Sequence, residues 1–232
     1  MKRIGESHGL FSGNALKLIA AFSMLLDHAG LMFFPGNRLL RIIGRLAYPI
    51  FAFMIAQGCC YTRNKLRYFL QIFTLAAACQ IVYYLVDGTA YFSILCTFSL
   101  SILMIYALQW MKNAGDWLRI PAFLLFFFSV ASVRLLNRYL EIDYGFWGCM
   151  VPVFAALFME RGQNRKWQTL LAAGAGLLLL AMDLGGIQYY SLLDLPVLWL
   201  YDGTRGKRPM KYFFYIFYPA HLALLQAIAW LI

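Results

Sequence analysis

Nine continuous apolar blocks, separated by short polar stretches, make up nearly the whole chain. They fall at roughly 14–34, 42–61, 67–86, 91–111, 118–134, 145–160, 166–183, 187–201 and 211–232. About 20 apolar residues in a helix cover a hydrocarbon core of about 30 Å. Most of the blocks reach that length and predict transmembrane helices. The sixth and eighth are short for it, which predicts a re-entrant or broken segment at one of them. No linker, low-complexity stretch or internal repeat divides the 232 residues, so the pattern predicts one domain.

Composition agrees with the pattern. Hydrophobic residues make up 62% of the chain and charged ones 13%, against about 45–50% and about 25% in soluble domains. The expected fold is an all-α, polytopic integral membrane protein. The first apolar block is long enough to span and carries Asp27 and His28, unlike the plain apolar core of a cleavable signal. Five cysteines, an odd number without a CxxC pair, lie in or beside apolar blocks. They read as small buried residues and provide neither a disulfide framework nor a metal site.

The net charge of +10 is spread over loops and forms no single patch, which argues against nucleic acid as a partner. It has a direction instead. With the N-terminus in the cytoplasm, Lys2, Arg3, Arg63, Lys65, Arg67, Lys112, Arg119, Arg161, Arg165, Lys166, Arg205, Lys207, Arg208 and Lys211 fall inside, and only Arg38, Arg41, Arg134 and Arg138 fall outside. That bias predicts about nine helices with the N-terminus cytoplasmic.

Ionisable residues interrupt three of the blocks. In "ALKLIAAFSMLLDHAGLMFF" (15–34), Lys17 and His28 are eleven residues apart. Eleven residues are three turns plus about 20°, so both lie on one face, separated by ~16.5 Å of rise. Asp27 sits about 100° round from His28. In "RIIGRLAYPIFAF" (41–53), Arg41 and Arg45 share a face, and Arg45 falls about as deep as His28. An Asp27–Arg45 contact is therefore expected. In "YFFYIFYPAHLALL" (212–225), His221 lies mid-block, and Pro219 permits a kink two residues before it. Charge inside a membrane is costly and marks function by default, although a purely structural polar contact satisfies the same pattern. The chain holds no GxSxG, P-loop or HExxH. "DLGGIQYY" and "DYGFWG" set turn glycines beside an acid, a weak signal.

Six blocks, in order, resemble the TraX family: "LKLIAAFSMLLDHAGLMFFP" (16–35), "RIIGRLAYPIFAFMIAQG" (41–58), "TRNKLRY" (62–68), "DYGFWG" (143–148), "QYYSLLDLPVLWLYDGTRG" (188–206) and "KYFFYIFYPAHLALL" (211–225). Members are associated with acetylation of the amino terminus of conjugative pilin. The Lys17-x10-His28 spacing is also similar to the K/R-x10-H signature of the broader acyltransferase-3 group.

The resemblance implies a multi-pass protein of the bacterial inner membrane. It would take acetyl-CoA as acyl donor from the cytoplasm and use no metal. Its acceptor would be a peptide, sugar or lipid at the outer leaflet, and a homo-oligomer is left open. Donor phosphates would meet Lys17, Arg63, Lys65 and Arg67. His28 would be the base, oriented by Asp27, with Arg45 or His221 against the acyl carbonyl. Direct transfer and an acyl-histidine intermediate stay open. A proton-coupled small-molecule transporter and a non-catalytic assembly factor are the rival classes.

Overall fold

The computed structural model describes residues 9–88, 91–163, 165–208 and 210–231. Of the cations counted above, Lys2 and Arg3 lie outside them. The described residues form α1 (Gly13–Phe33), α2 (Arg38–Gly44), α3 (Ala47–Tyr61), α4 (Lys65–Asp87), α5 (Ile94–Asn113), α6 (Asp116–Tyr139), α7 (Gly145–Ala156) and α8 (Lys166–Leu184). A 3₁₀ helix, Gly186–Leu193, then leads into α9 (Asp194–Trp199), and α10 (Lys211–Leu231) follows. No strand occurs among the described residues; isolated bridges tie Phe11 to Tyr201 and Phe92 to Ile142.

Seven helices are long and apolar enough to cross a membrane, with α2 and α3 counted as one span over Arg38–Tyr61. The break inside that span has a local cause. Pro49 lacks an amide hydrogen, and its ring clashes with the carbonyl four residues back. That carbonyl belongs to Arg45, so the helix parts at Arg45 and Leu46 and resumes at Ala47. Asn37 starts the span by accepting from Leu39 N at 3.1 Å. Ser12 does the same for α1, accepting from Ala15 N at 3.3 Å.

Two shorter elements replace the short blocks. At the sixth, α7 has twelve residues. At the eighth stands the 3₁₀ helix of eight residues with the six of α9. A 3₁₀ helix rises about 2.0 Å per residue, so the pair reaches roughly 25 Å, where an α-helix of equal length reaches roughly 21 Å. Gln188, Ser191 and Asp194 recur at every third residue of this stretch and are all buried.

The chain shuttles between two ends. At one end Arg161 Nη2 donates to Thr62 O at 2.6 Å, Lys112 donates to Leu157 O, and Lys166 Nζ donates to Tyr201 O at 3.1 Å. Gly13 N donates to Thr204 O there as well, at 2.8 Å. Arg63, Arg161, Arg165, Lys166, Arg205, Lys207 and Arg208 gather at this basic end. At the opposite end the Phe92–Ile142 bridge joins the start of α5 to the segment between α6 and α7. The core lies among α1, α3, α5, α7 and α8, where Leu16, Ile50, Ile102, Ile105 and Leu180 are fully buried. The α6 face is the reverse: Trp117, Phe127 and Phe128 are exposed, as apolar side chains facing lipid are.

Candidate active site

A cavity of about 990 Å³ opens between α1, the α2–α3 span, α4, α10 and the loops before α5 and α7. Asn14 and Lys17 line it near the start of α1, and His28 and Leu31 line it near the end. Seventeen residues of helix separate Asn14 from Leu31, so the cavity follows α1 for roughly 25 Å. Its two ends differ. Lys17 and Arg205 stand at the basic end, whereas Asp27, Glu141, Asp143 and Asp183 stand among the lining residues towards the other.

His28 lines this cavity and His221 does not. His28 Nδ1 lies 2.9 Å from Met24 O, its own carbonyl one turn back. A carbonyl only accepts, so that nitrogen carries the proton. The same geometry recurs on α10, where His221 Nδ1 donates to Phe217 O at 2.9 Å. His221 Nε2 is then a bare acceptor, and it sits 3.3 Å from His28 Nδ1. The His28 proton is shared between Met24 O and His221, which fixes this tautomer by its neighbours. The rings meet edge to face at 5.1 Å. His221 is itself clamped flat on Phe217 at 4.9 Å and is only 4% exposed. His28 Nε2 keeps its lone pair and makes no hydrogen bond among the described residues.

Asp27 points elsewhere. Its Oδ2 accepts from Arg45 Nη2 at 2.7 Å. Arg41 Nη1 lies 2.8 Å from Oδ1 but aims its N–H at the Asp27 carbonyl oxygen, 3.3 Å away. Oδ1 is thus paired by charge without a formed hydrogen bond. The expected Asp27–Arg45 contact is present, with both side chains nearly buried at 13% and 12% exposure. Asp27 makes no hydrogen bond to His28, because neighbours on a helix diverge by about 100°, although its charge still acts on the ring. Asp27 turns to α2 and His28 turns to α10. Gly44 makes room for the carboxylate: a Cβ there would collide with Asp27.

Arg45 also donates Nη1 to Gln188 Oε1 at 3.3 Å and lies over the Tyr144 ring at 5.9 Å. Tyr144 stacks on Tyr48 at 4.2 Å, and Tyr48 in turn donates to Gly148 O at 2.6 Å. Tyr144 holds φ at 59°, a strained value for a residue with a Cβ, at a cavity wall where such strain concentrates. Beside it, burial pushes Asp143 up to about 6, against the opposing pull of the Tyr91 hydroxyl and Arg45. Gln188, Tyr144 and Asp143 were not assigned roles from sequence. The turn glycines of "DYGFWG" were the signal that bore on two of them.

The donor-side residues separate. Lys17 lines the cavity, with Nζ 5.7 Å from the Phe214 ring centre. Arg63, Lys65 and Arg67 do not line it; all three are exposed at the surface. Arg205 takes their place at the mouth.

A family model described as TraX protein matches residues 12–229. The probable fimbrial assembly protein FimC, serogroup H1, of Dichelobacter nodosus is 28% identical over 238 residues, covering 93% of this chain and 94% of that one. An uncharacterised protein of Rickettsia prowazekii is 39% identical over 64 residues, 25% of each chain. No solved structure matches.

Proposed function

The chain belongs to the TraX family, and from that premise we propose that it is a membrane acyltransferase, moving an acetyl group from acetyl-CoA to an amine or hydroxyl acceptor. The chain makes nine passes in this reading, the seven long helices together with α7 and the 3₁₀–α9 pair. Its N-terminus and basic end face the cytoplasm of a bacterial inner membrane, as the positive-inside rule favours. The fimbrial assembly relative supports a pilin-like amino terminus as the acceptor class to test first.

One observation carries the reading. Among the described residues His28, whose Nε2 makes no hydrogen bond, is the histidine that lines a cavity reaching cations at one end and carboxylates at the other. Donor and acceptor can enter from opposite ends and meet at His28. The ~16.5 Å of rise between Lys17 and His28 matches an extended pantetheine arm.

Each group then has a task. His28 Nε2 takes a proton from the acceptor as its nitrogen or oxygen attacks the thioester carbonyl. The bond to the acceptor forms, and the carbonyl π-electrons move to oxygen. Collapse of that oxyanion breaks the C–S bond, and the thiolate recovers the proton from His28. His221 is a positioning residue. It accepts from Nδ1 and keeps Nε2 aimed at the cavity. Arg41 and Arg45 line the same wall and, set against Asp27, leave one net positive charge to meet the oxyanion. The enclosing helices exclude water that would otherwise hydrolyse the thioester.

The test is acetyl transfer by protein purified in detergent, with acetyl-CoA and a pilin-like peptide bearing a free amino terminus. Acetylated peptide and stoichiometric CoA are expected, and neither with His28→Ala. Undiminished transfer by His28→Ala would refute the role of His28. No transfer to amine, sugar or lipid acceptors would refute the enzyme reading.

A further inference from the structure

Resting on the acyltransferase reading, we propose that the loop over residues 202–208 is the nucleotide anchor of the donor site, with Arg205 and Lys17 holding the pyrophosphate of coenzyme A. The loop is built to a fixed shape. Asp202 Oδ1 accepts from Thr204 N at 2.7 Å, and Oδ2 accepts from Thr204 Oγ1 at 3.0 Å. Gly203 and Gly206 flank the presented pair with φ of 77° and 93°. A side chain at either would be strained.

The loop is then fastened across the start of α1. Thr204 O and Arg205 O accept from Gly13 N and Asn14 N at 2.8 and 3.0 Å. Asn14 Nδ2 donates to Arg208 O at 2.6 Å. All of this fastening uses backbone, Asn14 or Asp202. The Arg205 side chain takes no part in it, yet it lines the cavity mouth.

Charge and shape at that mouth suit a nucleotide. Among the described residues no carboxylate lines this end of the cavity and Arg205 forms no ion pair. A cation set at a cavity end whose described lining holds no carboxylate favours an anionic ligand. Tyr61, Tyr68, Phe214 and Tyr215 line the same end, aromatic side chains of the kind on which bases stack. Reach selects the phosphate. About a dozen bonds separate the CoA sulfur from its pyrophosphate, roughly 16 Å when extended, which is the His28–Lys17 rise of ~16.5 Å. The 3′-phosphate would lie farther out, beyond the mouth.

Melting in detergent tests this without an acceptor. The probes are CoA, dephospho-CoA and pantetheine, each at 1 mM, on the wild type and on Arg205→Ala and Arg205→Lys. CoA and dephospho-CoA should both raise the wild-type Tm, and pantetheine should raise it far less. Arg205→Ala should weaken CoA by about 10- to 100-fold in apparent Kd, the usual range for a lost charge-assisted contact, and leave pantetheine where it was. Arg205→Lys should recover part of the loss. A CoA shift that Arg205→Ala leaves untouched overturns the anchor while the acyltransferase reading stands. A shift that needs the 3′-phosphate overturns the pyrophosphate assignment. No wild-type shift with CoA at all overturns both.

Discussion

Asp27 serves two arginines, so the three residues should not be equally costly to remove. Arg45→Met leaves Asp27 paired with Arg41 at 2.8 Å. It loses the short charge-assisted hydrogen bond to Asp27 and the longer one to Gln188 at 3.3 Å, together about 1.5–3 kcal/mol. Asp27→Asn leaves both guanidinium groups facing each other across a neutral amide. Breaking a buried pair this way costs about 3–5 kcal/mol. For a chain of this size 1 kcal/mol moves Tm by about 2–4 °C. Arg45→Met should therefore melt about 3–12 °C lower than wild type, and Asp27→Asn about 6–20 °C lower. In the double variant only Arg41 remains, and its 25% exposure lets it reach towards water. Its loss should fall short of the two single losses combined by at least ~2 kcal/mol. Melting is followed by tryptophan fluorescence in detergent, with six tryptophans as reporters. Strict additivity would mean that Asp27 and Arg45 do not depend on each other. A cost for Arg45→Met equal to that for Asp27→Asn would mean that Arg41 does not share the carboxylate.

Three further outcomes are expected. His221→Gln, whose Oε1 can replace Nε2 as acceptor, should keep a measurable fraction of acetyl transfer, whereas His221→Ala should lower kcat by at least tenfold with little change in the KM for acetyl-CoA; equal rates for both variants would remove the positioning role. Asp143 holds its proton more tightly in the fold, up to about 6, than the usual carboxylate does, so its ionisation weighs against the native state above that pH and the burden lifts as pH falls towards about 4; Asp143→Asn should be more stable than wild type by up to ~3 kcal/mol above pH ~6, and the gap should close on acidification, while parallel pH profiles would contradict it. Cysteines introduced at Arg63 and Tyr139 should be labelled from opposite sides of intact cells, Tyr139→Cys by the external reagent; external labelling of Arg63→Cys would reverse the donor side.

The long helices were legible in the sequence because an apolar run of membrane length needs no partner to identify it. Depth along a helix was legible too, and it correctly brought Arg45 to Asp27. Direction around a helix was legible as an angle, about 100° between Asp27 and His28, but the neighbour that each side chain would meet was not. Adjacency in sequence suggested that Asp27 serves His28, but the helical turn sends the two side chains to different neighbours. His221, named beside Arg45 as a candidate for the acyl carbonyl, stands behind His28, because only packing decides which of two facing histidines meets the cavity. Arg63, Lys65 and Arg67 look like a phosphate site because they cluster, yet they point outwards from the start of α4. Arg205 looked like one loop cation among many until the clamp on α1 set it at the cavity's edge. The blocks at 145–160 and 187–201 read as short, one of them re-entrant or broken, but hydropathy carries no signal for which of the two breaks or for 3₁₀ stretching.

The histidine pair has a consequence for how the protein is made. The two rings are separated by 193 residues of chain, whereas Asp27 is 14 and 18 residues from its arginines. A ribosome adds about 5–20 residues per second, so roughly 10–40 s of translation pass between the two halves of the pair. During that interval a nascent α1 can already hold its ion pair, while its imidazole has nothing behind it. The backbone clamp on the start of α1 arrives just as late, through Thr204, Arg205 and Arg208. A copy cut short before α10 would thus carry its charges safely in the bilayer and still lack the ring that orients His28. Chains still lacking α10 would be tolerated by the membrane yet inactive, and the insertion of α10 would be the event that arms the site.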